Sequence, residues 1–503
     1  MRSFSRVGDH SGGGLFLLFN SYVFILLFLP LCLTGYFGLN HFKKYNLAQA
    51  FLLIMSLWFY GYFHMGYLVI ILSSVVINFG FSRLMYKAGE TKWRKALLLL
   101  ALTFNLGLLF YYKYFDFLIV NCNLLLKTDF ALRHILLPLG ISFFTFQQIS
   151  YVVDAYHGEV QQYNFLQYAT FVAYFPQLIA GPIVTHDELI PQFMDENKKK
   201  FNWDNFCRGL YILSLGLAKK VLIADTFGNA VNYGFSNVTV LDTTNAFLTA
   251  LAYSIQIYFD FSGYCDMAIG LGKMMNLNLP INFDSPYKSL TITEFWDRWH
   301  KTLTRFFTRY VYIPLGGSRH GQWKTYRNVL LVFFASGLWH GANYTFILWG
   351  VMHGVFNVIT RHWKSWFERI HPALNWLITF SFVTVTWVFF RADTISDAVE
   401  ILKRILWMEF GPVDSALMDA FLLPELQFII NNVSALSVLQ RQPEMLLTAF
   451  YGGALILILG PKNAHEQMHA FRPTLLHLLF AGTLLMLCIL SFSGVSTFLY
   501  FNF

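Results

Sequence analysis

Apolar stretches long enough to cross a membrane follow one another along almost the whole chain, with only short polar loops between them. The stretches are residues 15–39, 47–80, 96–126, 134–153, 165–184, 205–224, 245–272, 328–360, 374–391, 446–460 and 474–491. A helix needs about 20 predominantly apolar residues to span the hydrocarbon core of a bilayer. If the longest stretches count as two spans each, the pattern predicts an all-α integral membrane protein with about 10–13 transmembrane or re-entrant helices.

Composition and charge support this class. Hydrophobic residues make up 56% of the 503 positions and charged residues only 13%, whereas soluble domains carry about 25% charged residues. A formal charge of +8 would favour a nucleic-acid partner in a soluble protein, but here Lys and Arg lie in short loops, as the positive-inside rule describes. We therefore predict no nucleic-acid partner and interpret the basic clusters as topology signals. The clusters are Lys43-Lys44, residues 83–95, Lys198-Lys199-Lys200 and Lys219-Lys220.

Two segments depart from the apolar pattern. Residues 1–14 are polar and Gly-rich, which predicts a disordered N-terminal extension. Residues 15–503 are then one membrane domain, since no long linker or fixed-period repeat divides them. Within this domain, Gly, Pro and Asn residues interrupt weak helical patterns at 407–445, which predicts an extramembrane excursion. This excursion could be a partner surface or an inert loop.

A dense set of polar side chains lies in the apolar stretch that ends near residue 272. Polar and ionisable groups are expensive at membrane depth, so such a set indicates a function. Two carboxylates there need hydrogen-bond donors or water, so we expect the helix to be broken or to line a cavity. The set comprises Tyr258, Asp260, Ser262, Tyr264 and Asp266.

Aromatic and charged residues alternate in the next polar segment, at 294–319. Trp296, Trp299, Arg298 and His300 belong to it, and the alternation predicts an amphipathic or re-entrant helix at a membrane interface. Pro314 and the two glycines after it predict a tight turn at its end.

A histidine between small residues stands out in the segment SGLWHGANYTFILWGVMHG, residues 336–354. Gly337 and Gly341 flank His340 and allow another helix or a ligand to approach closely. Neutral imidazole can accept a proton from a hydroxyl at physiological pH, so His340 is a candidate general base for acyl transfer and His300 a second candidate. A histidine held only by structural hydrogen bonds is the alternative, and the Gly-x-Ser-x-Gly nucleophile elbow is absent.

Neither histidines nor cysteines support a metal site. His353 lies more than three helical turns after His340, too far for the i, i+4 spacing of two ligands on one helical face. The cysteines occur singly without CxxC spacing, so a disulfide framework is not expected either. They are Cys32, Cys122, Cys207, Cys265 and Cys488.

Several collinear blocks resemble the membrane-bound O-acyltransferase superfamily, and specifically its alginate O-acetyltransferase-like branch. Besides the segments above, they are LPLGISFFTFQQISYVVD at 137–154, FPQLIAGPIV at 175–184, WVFFRA at 387–392 and FLYFNF at 498–503. Together these blocks cover nearly the whole chain and are more specific than any one motif. The resemblance implies a ring of helices around a central tunnel, with the acyl donor entering from the cytoplasm and the acceptor from outside.

The resemblance also assigns roles to residues. It implies that His340 in the LWHG block is catalytic and that His300 in the RWH block is a second functional position. Cys265 stands where the family pattern has serine, a small-for-small change. The residues that would line or support the tunnel are Tyr258, Asp260, Ser262, Tyr264, Asp266, Trp296, Arg298, Trp299, Trp339 and Asn343.

By this resemblance the chain is an O-acyltransferase of the bacterial cytoplasmic (inner) membrane. It would take an acetyl group from cytoplasmic acetyl-CoA, a substrate, with no bound cofactor and no metal. The acceptor would be an exported polysaccharide, alginate-like, cellulose or another cell-surface glycan, reached through an extracytoplasmic SGNH or esterase-like partner. Membrane lipid would surround the helices.

Two alternatives stay open. One is transfer of D-alanine or another acyl group to teichoic acid from a carrier-protein thioester, since such relatives share the two-histidine pattern. A neighbouring carrier protein and its ligase would favour it. The other is a polar-solute transporter, a class that usually carries internal repeats, which are not visible in this sequence.

Overall fold

The computed structural model describes residues 17–423, 442–494 and 498–499, which form helices and connecting loops with no strand among them. The predicted all-α class is confirmed. The predicted extension at 1–14 lies outside the described residues. In chain order the α-helices before residue 424 are α1 Leu29–His41, α2 Tyr45–Gly61, α3 Met65–Ala88, α4 Lys92–Leu126, α5 Ile141–His157, α6 Phe165–Ala173, α7 Phe175–Leu178, α8 His186–Met194, α9 Trp203–Ala218, α10 Asp225–Ser236, α11 Thr243–Met274, α12 Ile292–Arg298, α13 Lys301–Phe307, α14 Gln322–His340, α15 Tyr344–His362, α16 Lys364–Phe367, α17 Pro372–Arg391, α18 Ile395–Leu406 and α19 Ser415–Asp419. After residue 441 come α20 Pro443–Leu459, α21 Ala464–Ala470 and α22 Leu475–Leu490.

Among the described residues, 4 helical segments are long and apolar enough to cross a membrane: Phe24–His41, α3, α4 and α17. Helices α20 and α21 qualify together as one span bent by 61°. The 32-residue α11 is not in this set, because its many polar side chains lower its mean hydropathy although it is deeply buried. Several apolar helices are therefore present, and the predicted number of 10–13 spans stays a prediction.

Some apolar stretches of the sequence are broken where the backbone turns. The stretch at 328–360 divides into α14 and α15 at Gly341, which is extended. The stretch at 134–153 becomes helical only at Ile141, after Gly140 with φ of +70°. A Cβ at Gly140 would lie 2.7 Å from the Leu178 carbonyl oxygen, so this close passage requires glycine.

Helices α9 and α11 pack backbone against backbone through two pairs of glycines. A Cβ at Gly209 would lie 2.5 Å from the Gly270 carbonyl oxygen, and a Cβ at Gly216 would lie 2.7 Å from that of Gly263. Such contacts between small residues allow helix axes to approach closely. The same helix continues beyond α9 into a π turn, Lys219–Ala224, so the residues of that turn also face α11.

Helices α14 and α15 make a second close contact directly below His340. A Cβ at Gly337 would lie 2.4 Å from the Phe346 carbonyl oxygen, and a Cβ at Gly350 would lie 2.4 Å from that of Phe333. The close approach predicted at Gly337 is therefore present, and it fixes the two helices on either side of the histidine.

Residues 407–423 cover the N-terminal end of α11. The Asn245 amide nitrogen donates to the Pro412 carbonyl oxygen at 3.0 Å, and Leu417 and Phe421 are fully buried. This part of the chain is thus packed against the helices. The rest of the predicted excursion, 424–441, lies outside the described residues, and its extramembrane position stays a prediction.

Candidate functional site

His340 is the last residue of α14 and is only 3% exposed. Its ring packs against Trp349, with centroids 5.0 Å apart, and against Phe390 at 5.1 Å. Aromatic walls exclude water and hold the ring orientation by packing. His340 is therefore an ionisable group in an apolar enclosure.

His300 lies at the break between α12 and α13, with φ of +47° and ψ of +49°. A left-handed conformation costs a residue with a Cβ roughly 1–2 kcal/mol, and such strain is concentrated at functional sites. The side chain is 1% exposed, and its Nδ1 lies 3.1 Å from Oδ1 of Asn282. The turn between α12 and α13 thus directs this imidazole into the protein.

A chain of hydrogen bonds assigns the tautomer of His300. The Ile183 amide donates to the Thr302 hydroxyl at 2.9 Å, and that hydroxyl donates to Oδ1 of Asn282 at 3.0 Å. Since this amide oxygen can only accept, the proton of His300 lies on Nδ1 and the lone pair on Nε2. Asn282 was not among the predicted site residues, because a single asparagine in a loop carries no recognisable spacing.

Trp339 packs against both histidines. Its ring centroid is 4.9 Å from that of His340 and 6.0 Å from that of His300. Forty residues apart in sequence, the two predicted catalytic histidines are therefore brought into contact with one indole. Their catalytic role stays a prediction.

Two clefts with different linings lie next to this group. The first cleft is lined by Lys113, residues 137–143, Ile179, Trp339 and His340. The second cleft is lined by Ile183, Thr185, Asp187, Glu188, Thr302, Arg305, Phe306, Arg309 and Tyr310. The first cleft thus reaches His340, and the second reaches Thr302, two residues from His300.

An aromatic stack separates the two clefts. Phe146 lies 4.1 Å from Phe306 at an interplanar angle of 12°, and 5.3 Å from Trp339 at 28°. Phe306 lines the second cleft and Trp339 the first. Three rings in contact therefore connect the linings of the two clefts.

The second cleft carries charges of both signs. Arg305 makes two hydrogen bonds to the Glu188 carboxylate, at 2.5 and 2.7 Å, and Arg309 lies 3.1 Å from Asp154. Partial burial would raise the pKa of the Asp187 carboxyl, but a hydrogen bond from the Thr185 hydroxyl and nearby positive charges hold that pKa below its usual range. The cleft thus presents ionised groups to its opening.

Asp260 and Asp266 do not break α11, which runs without interruption over 32 residues. The expected break is wrong because lysines supply the donors: Lys220 Nζ lies 2.6 Å from Asp260, and Lys219 Nζ lies 2.6 Å from Asp266. Lys220 also pairs with Asp225 at 2.8 Å. Both carboxylates brace α11 against the π turn and line neither cleft described above.

The interpretation of Lys219 and Lys220 as loop residues that only signal topology is wrong as well. The side chain of Lys220 is 1% exposed, and that of Lys219 is 19% exposed. The π turn points both consecutive side chains at α11, which a regular helix would separate by about 100°.

The other predicted support residues on α11 are buried in aromatic surroundings. Tyr264 packs on Phe19 at 4.9 Å, and Ser262 is 1% exposed. Tyr258 lies 5.2 Å from Tyr287 and 6.2 Å from Trp299. These residues are within the helix core and not in the lining of either cleft.

The remaining predicted support residues hold helix ends. Arg298 pairs with Glu294 at 3.0 Å across one helical turn. Asn343 accepts from the Thr345 amide at the start of α15, and its amide nitrogen donates to the Asp393 carbonyl oxygen at 2.9 Å. Both are thus structural contacts near the site.

His353 is a structural histidine in this geometry. The Trp296 indole nitrogen donates to Nδ1 at 3.2 Å, so Nε2 carries the proton and donates to the Thr386 hydroxyl at 3.0 Å. The Thr386 hydroxyl in turn donates to the Val383 carbonyl oxygen. Both ring nitrogens of His353 are therefore used, and it links three helices.

Within the described ranges, no group of three or more His, Cys, Asp or Glu side chains is arranged to hold a metal ion.

Comparison with known proteins places this arrangement in a family. A family model described as membrane-bound O-acyltransferase matches residues 52–393. A peptidoglycan O-acetyltransferase of Helicobacter pylori is 43% identical over 420 residues, covering 78% of this chain and 80% of the relative. A probable alginate O-acetylase of Pseudomonas aeruginosa is 41% identical over 391 residues, covering 76% of this chain and 73% of the relative.

A more distant similarity covers half of the chain. A teichoic acid D-alanyltransferase of Bacillus subtilis is 28% identical over 271 residues, which is 49% of this chain and 66% of the relative.

Proposed function

Because the chain belongs to the membrane-bound O-acyltransferase family and is an acyltransferase, we propose that it transfers an acetyl group from cytoplasmic acetyl-CoA towards an exported polysaccharide. The observation that carries the proposal is the pair of buried histidines that both pack against Trp339, with His340 lining the first cleft and Thr302, two residues from His300, lining the second. Relatives named for O-acetylation of peptidoglycan and of alginate support the acetyl group and a glycan acceptor.

One face of the helix bundle gathers basic residues, and we call it the basic face. Shared segments bring its members near one another: Arg94 and Arg309 bind Ala155 and Glu159 at the end of α5, and Lys198 and Arg305 bind Gln192 and Glu188 of α8. By the positive-inside rule this face is cytoplasmic. The residues that define the basic face are Arg83, Arg94, Lys198, Lys273, Arg305 and Arg309.

The two clefts then face different compartments. Arg305 and Arg309 put the second cleft on the basic face. Lys113, in the first cleft, lies on α4 roughly 30 Å along the helix axis from its start at Lys92, at 1.5 Å per residue. Since the hydrocarbon core is itself about 30 Å thick, we propose that the first cleft opens towards the opposite side of the membrane. The donor would enter by the second cleft, and the acceptor by the first.

In the proposed reaction His340 is the general base. Its imidazole takes the proton of the acceptor hydroxyl as the oxygen attacks the acetyl carbonyl carbon, and the thiolate of coenzyme A leaves with the electron pair of the broken thioester bond. His300, whose lone pair is on Nε2, accepts a hydrogen bond and so orients the donor; stabilising a negative carbonyl oxygen would require a proton on that nitrogen, which this tautomer does not carry. The aromatic enclosure excludes water, so thioester hydrolysis competes poorly.

The acceptor hydroxyl belongs either to the glycan or to a serine of an extracytoplasmic SGNH or esterase-like partner, and we propose the partner route. The inner membrane of a bacterium is the proposed location. D-alanyl transfer to teichoic acid is the less supported function, because the relative of that name matches only half of this chain. Membership of a family of acyltransferases argues against a transporter.

Mass spectrometry of the exported polysaccharide tests this function. We expect acetyl esters on the polymer when the protein is present and their loss when it is removed. Cells that carry an inactive His340 variant at the same membrane level are the control for secondary effects of deletion. Unchanged acetyl esters in the deletion strain would contradict the proposal, and loss of D-alanyl esters would favour the alternative.

Asn282→Ala should lower turnover by about 10–100-fold, the usual loss when an orienting partner of a functional histidine is removed. Without the acceptor at 3.1 Å, Nδ1 no longer retains the proton and the lone pair leaves Nε2. Label transfer from radiolabelled acetyl-CoA in membranes measures the effect. Asn278→Ala, an exposed asparagine of the same loop, is the matched control. Wild-type turnover in Asn282→Ala would remove His300 from the mechanism.

A further inference from the structure

The C-terminal end of α14 is stabilised by another helix. The last four carbonyl groups of any helix lack partners within it. Helix α14 stops at His340 because Gly341 is extended, with φ of −170° and ψ of 156°, so no turn of its own caps these groups. The carbonyls that need donors are therefore next to the candidate base itself.

Two adjacent residues of α4 supply the donors. The Tyr114 hydroxyl donates to the Leu338 carbonyl oxygen at 2.5 Å. Lys113 Nζ donates to the carbonyl oxygens of Trp339 at 2.6 Å and of His340 at 2.9 Å. Three of the four terminal carbonyls of α14 are thus bonded from one turn of α4, and a cation at a helix C-terminus is electrostatically favourable.

Lys113 is also part of the first cleft. Its Nζ also donates to the Ser142 hydroxyl at 3.4 Å, and it lines the cleft together with His340. Among the described residues no carboxylate pairs with Lys113, unlike the buried Lys219 and Lys220. The partial negative charge of the α14 end is what balances this ammonium group, so the cation and the helix end are held in one arrangement.

We propose that Lys113 is a positioning residue for His340, which fixes the end of α14 so that the imidazole stays at the first cleft. The inference rests on the proposed function for its effect on turnover. A misplacement of about 1 Å can cost about 100-fold in rate. Loss of the ammonium group would remove the hydrogen bonds that hold the carbonyl groups of His340 and Trp339. The backbone of both residues could then move.

Three variants test the proposal in the full-length protein in membranes. Lys113→Met removes the donors and keeps an apolar side chain of similar length. Lys113→Arg keeps the charge and the donors. Lys95→Met makes the same change at an exposed position of the same helix and is the matched control.

With radiolabelled acetyl-CoA as probe, Lys113→Met should lower kcat by about 10–100-fold and change the KM for acetyl-CoA less than twofold. Lys113→Arg should recover a substantial part of kcat, and Lys95→Met should resemble the wild type. A change in KM without loss of kcat would overturn the positioning role, and so would wild-type kcat in Lys113→Met at equal amounts of folded protein.

Hydrogen exchange provides a readout that needs no substrate. Amides at residues 336–342 should exchange faster in Lys113→Met than in the wild type, while the rest of α14 and all of Lys95→Met are unchanged. Unchanged exchange at 336–342 overturns the inference whatever the activity. If exchange is faster in Lys113→Met but the wild-type protein transfers no acetyl group, the result contradicts the proposed function and leaves the positioning of α14 by Lys113 supported.

Discussion

His340→Gln is expected to reduce acetyl transfer by about 10²–10⁴-fold, the range that a general base contributes. Glutamine keeps much of the volume between Trp349 and Phe390 and can donate and accept hydrogen bonds, but it cannot take a proton. The aromatic enclosure should therefore persist while the chemistry stops. Label transfer from radiolabelled acetyl-CoA in membranes, with protein amount measured in parallel, gives the result.

The matched control is His320→Gln, which makes the same change at an exposed histidine in the loop before α14. It should transfer acetyl groups at the wild-type rate. If His340→Gln retained more than a tenth of the wild-type rate, with equal amounts of folded protein, another residue would have to be the base.

Lys220→Met is expected to lower the free energy of unfolding by about 3–5 kcal/mol, the usual cost of removing one partner from a buried ion pair. Lys220 contacts both Asp225 and Asp260, and its side chain is 1% exposed. Methionine would remove the Lys220 cation from the carboxylates of Asp225 and Asp260. Unfolding in detergent micelles, followed by tryptophan fluorescence against denaturant concentration, measures the change.

Two further variants distinguish the loss of stability caused by breaking the ion pair from any loss caused by replacing a lysine with methionine. Lys324→Met, at an exposed position, should change stability by less than about 0.5 kcal/mol. Adding Asp260→Asn to Lys220→Met should recover part of the loss, since it removes a charge that has lost its partner. A double variant less stable than Lys220→Met would show that the Asp260 carboxylate contributes through other contacts, such as the Leu499 amide.

The apolar pattern was sufficient to predict the class of fold, because a bilayer requires long apolar helices whose backbone groups are bonded internally. It could not predict where the helices break. Gly140 and Gly341 interrupt apolar stretches where a neighbouring backbone or ring passes within contact distance: Leu178 and Ile179, remote in sequence, at Gly140, and the Phe346 ring, five residues on, at Gly341. Gly337, in contrast, was recognisable from its small neighbours alone.

The candidate site divides in the same way. His340 and His300 could be selected from sequence because an ionisable residue in an apolar segment is costly and therefore informative. Asn282 and Lys113 could not, since a polar residue in a loop and a lysine near aromatic residues each have common structural explanations. Only the folded chain brings Asn282 within 3.1 Å of one histidine and Lys113 within 2.9 Å of the carbonyl of the other.

For Asp260 and Asp266, the sequence and the tertiary structure each supply a different part of the explanation. Their expense at membrane depth follows from the sequence, and it implies that something must compensate it. The nature of the compensation depends on the tertiary structure, in which a π turn directs Lys219 and Lys220 at α11. The cost of burying a carboxylate can be recognised from the residue and its apolar segment. The lysine that offsets this cost lies in another segment, and only folding brings the two within contact distance.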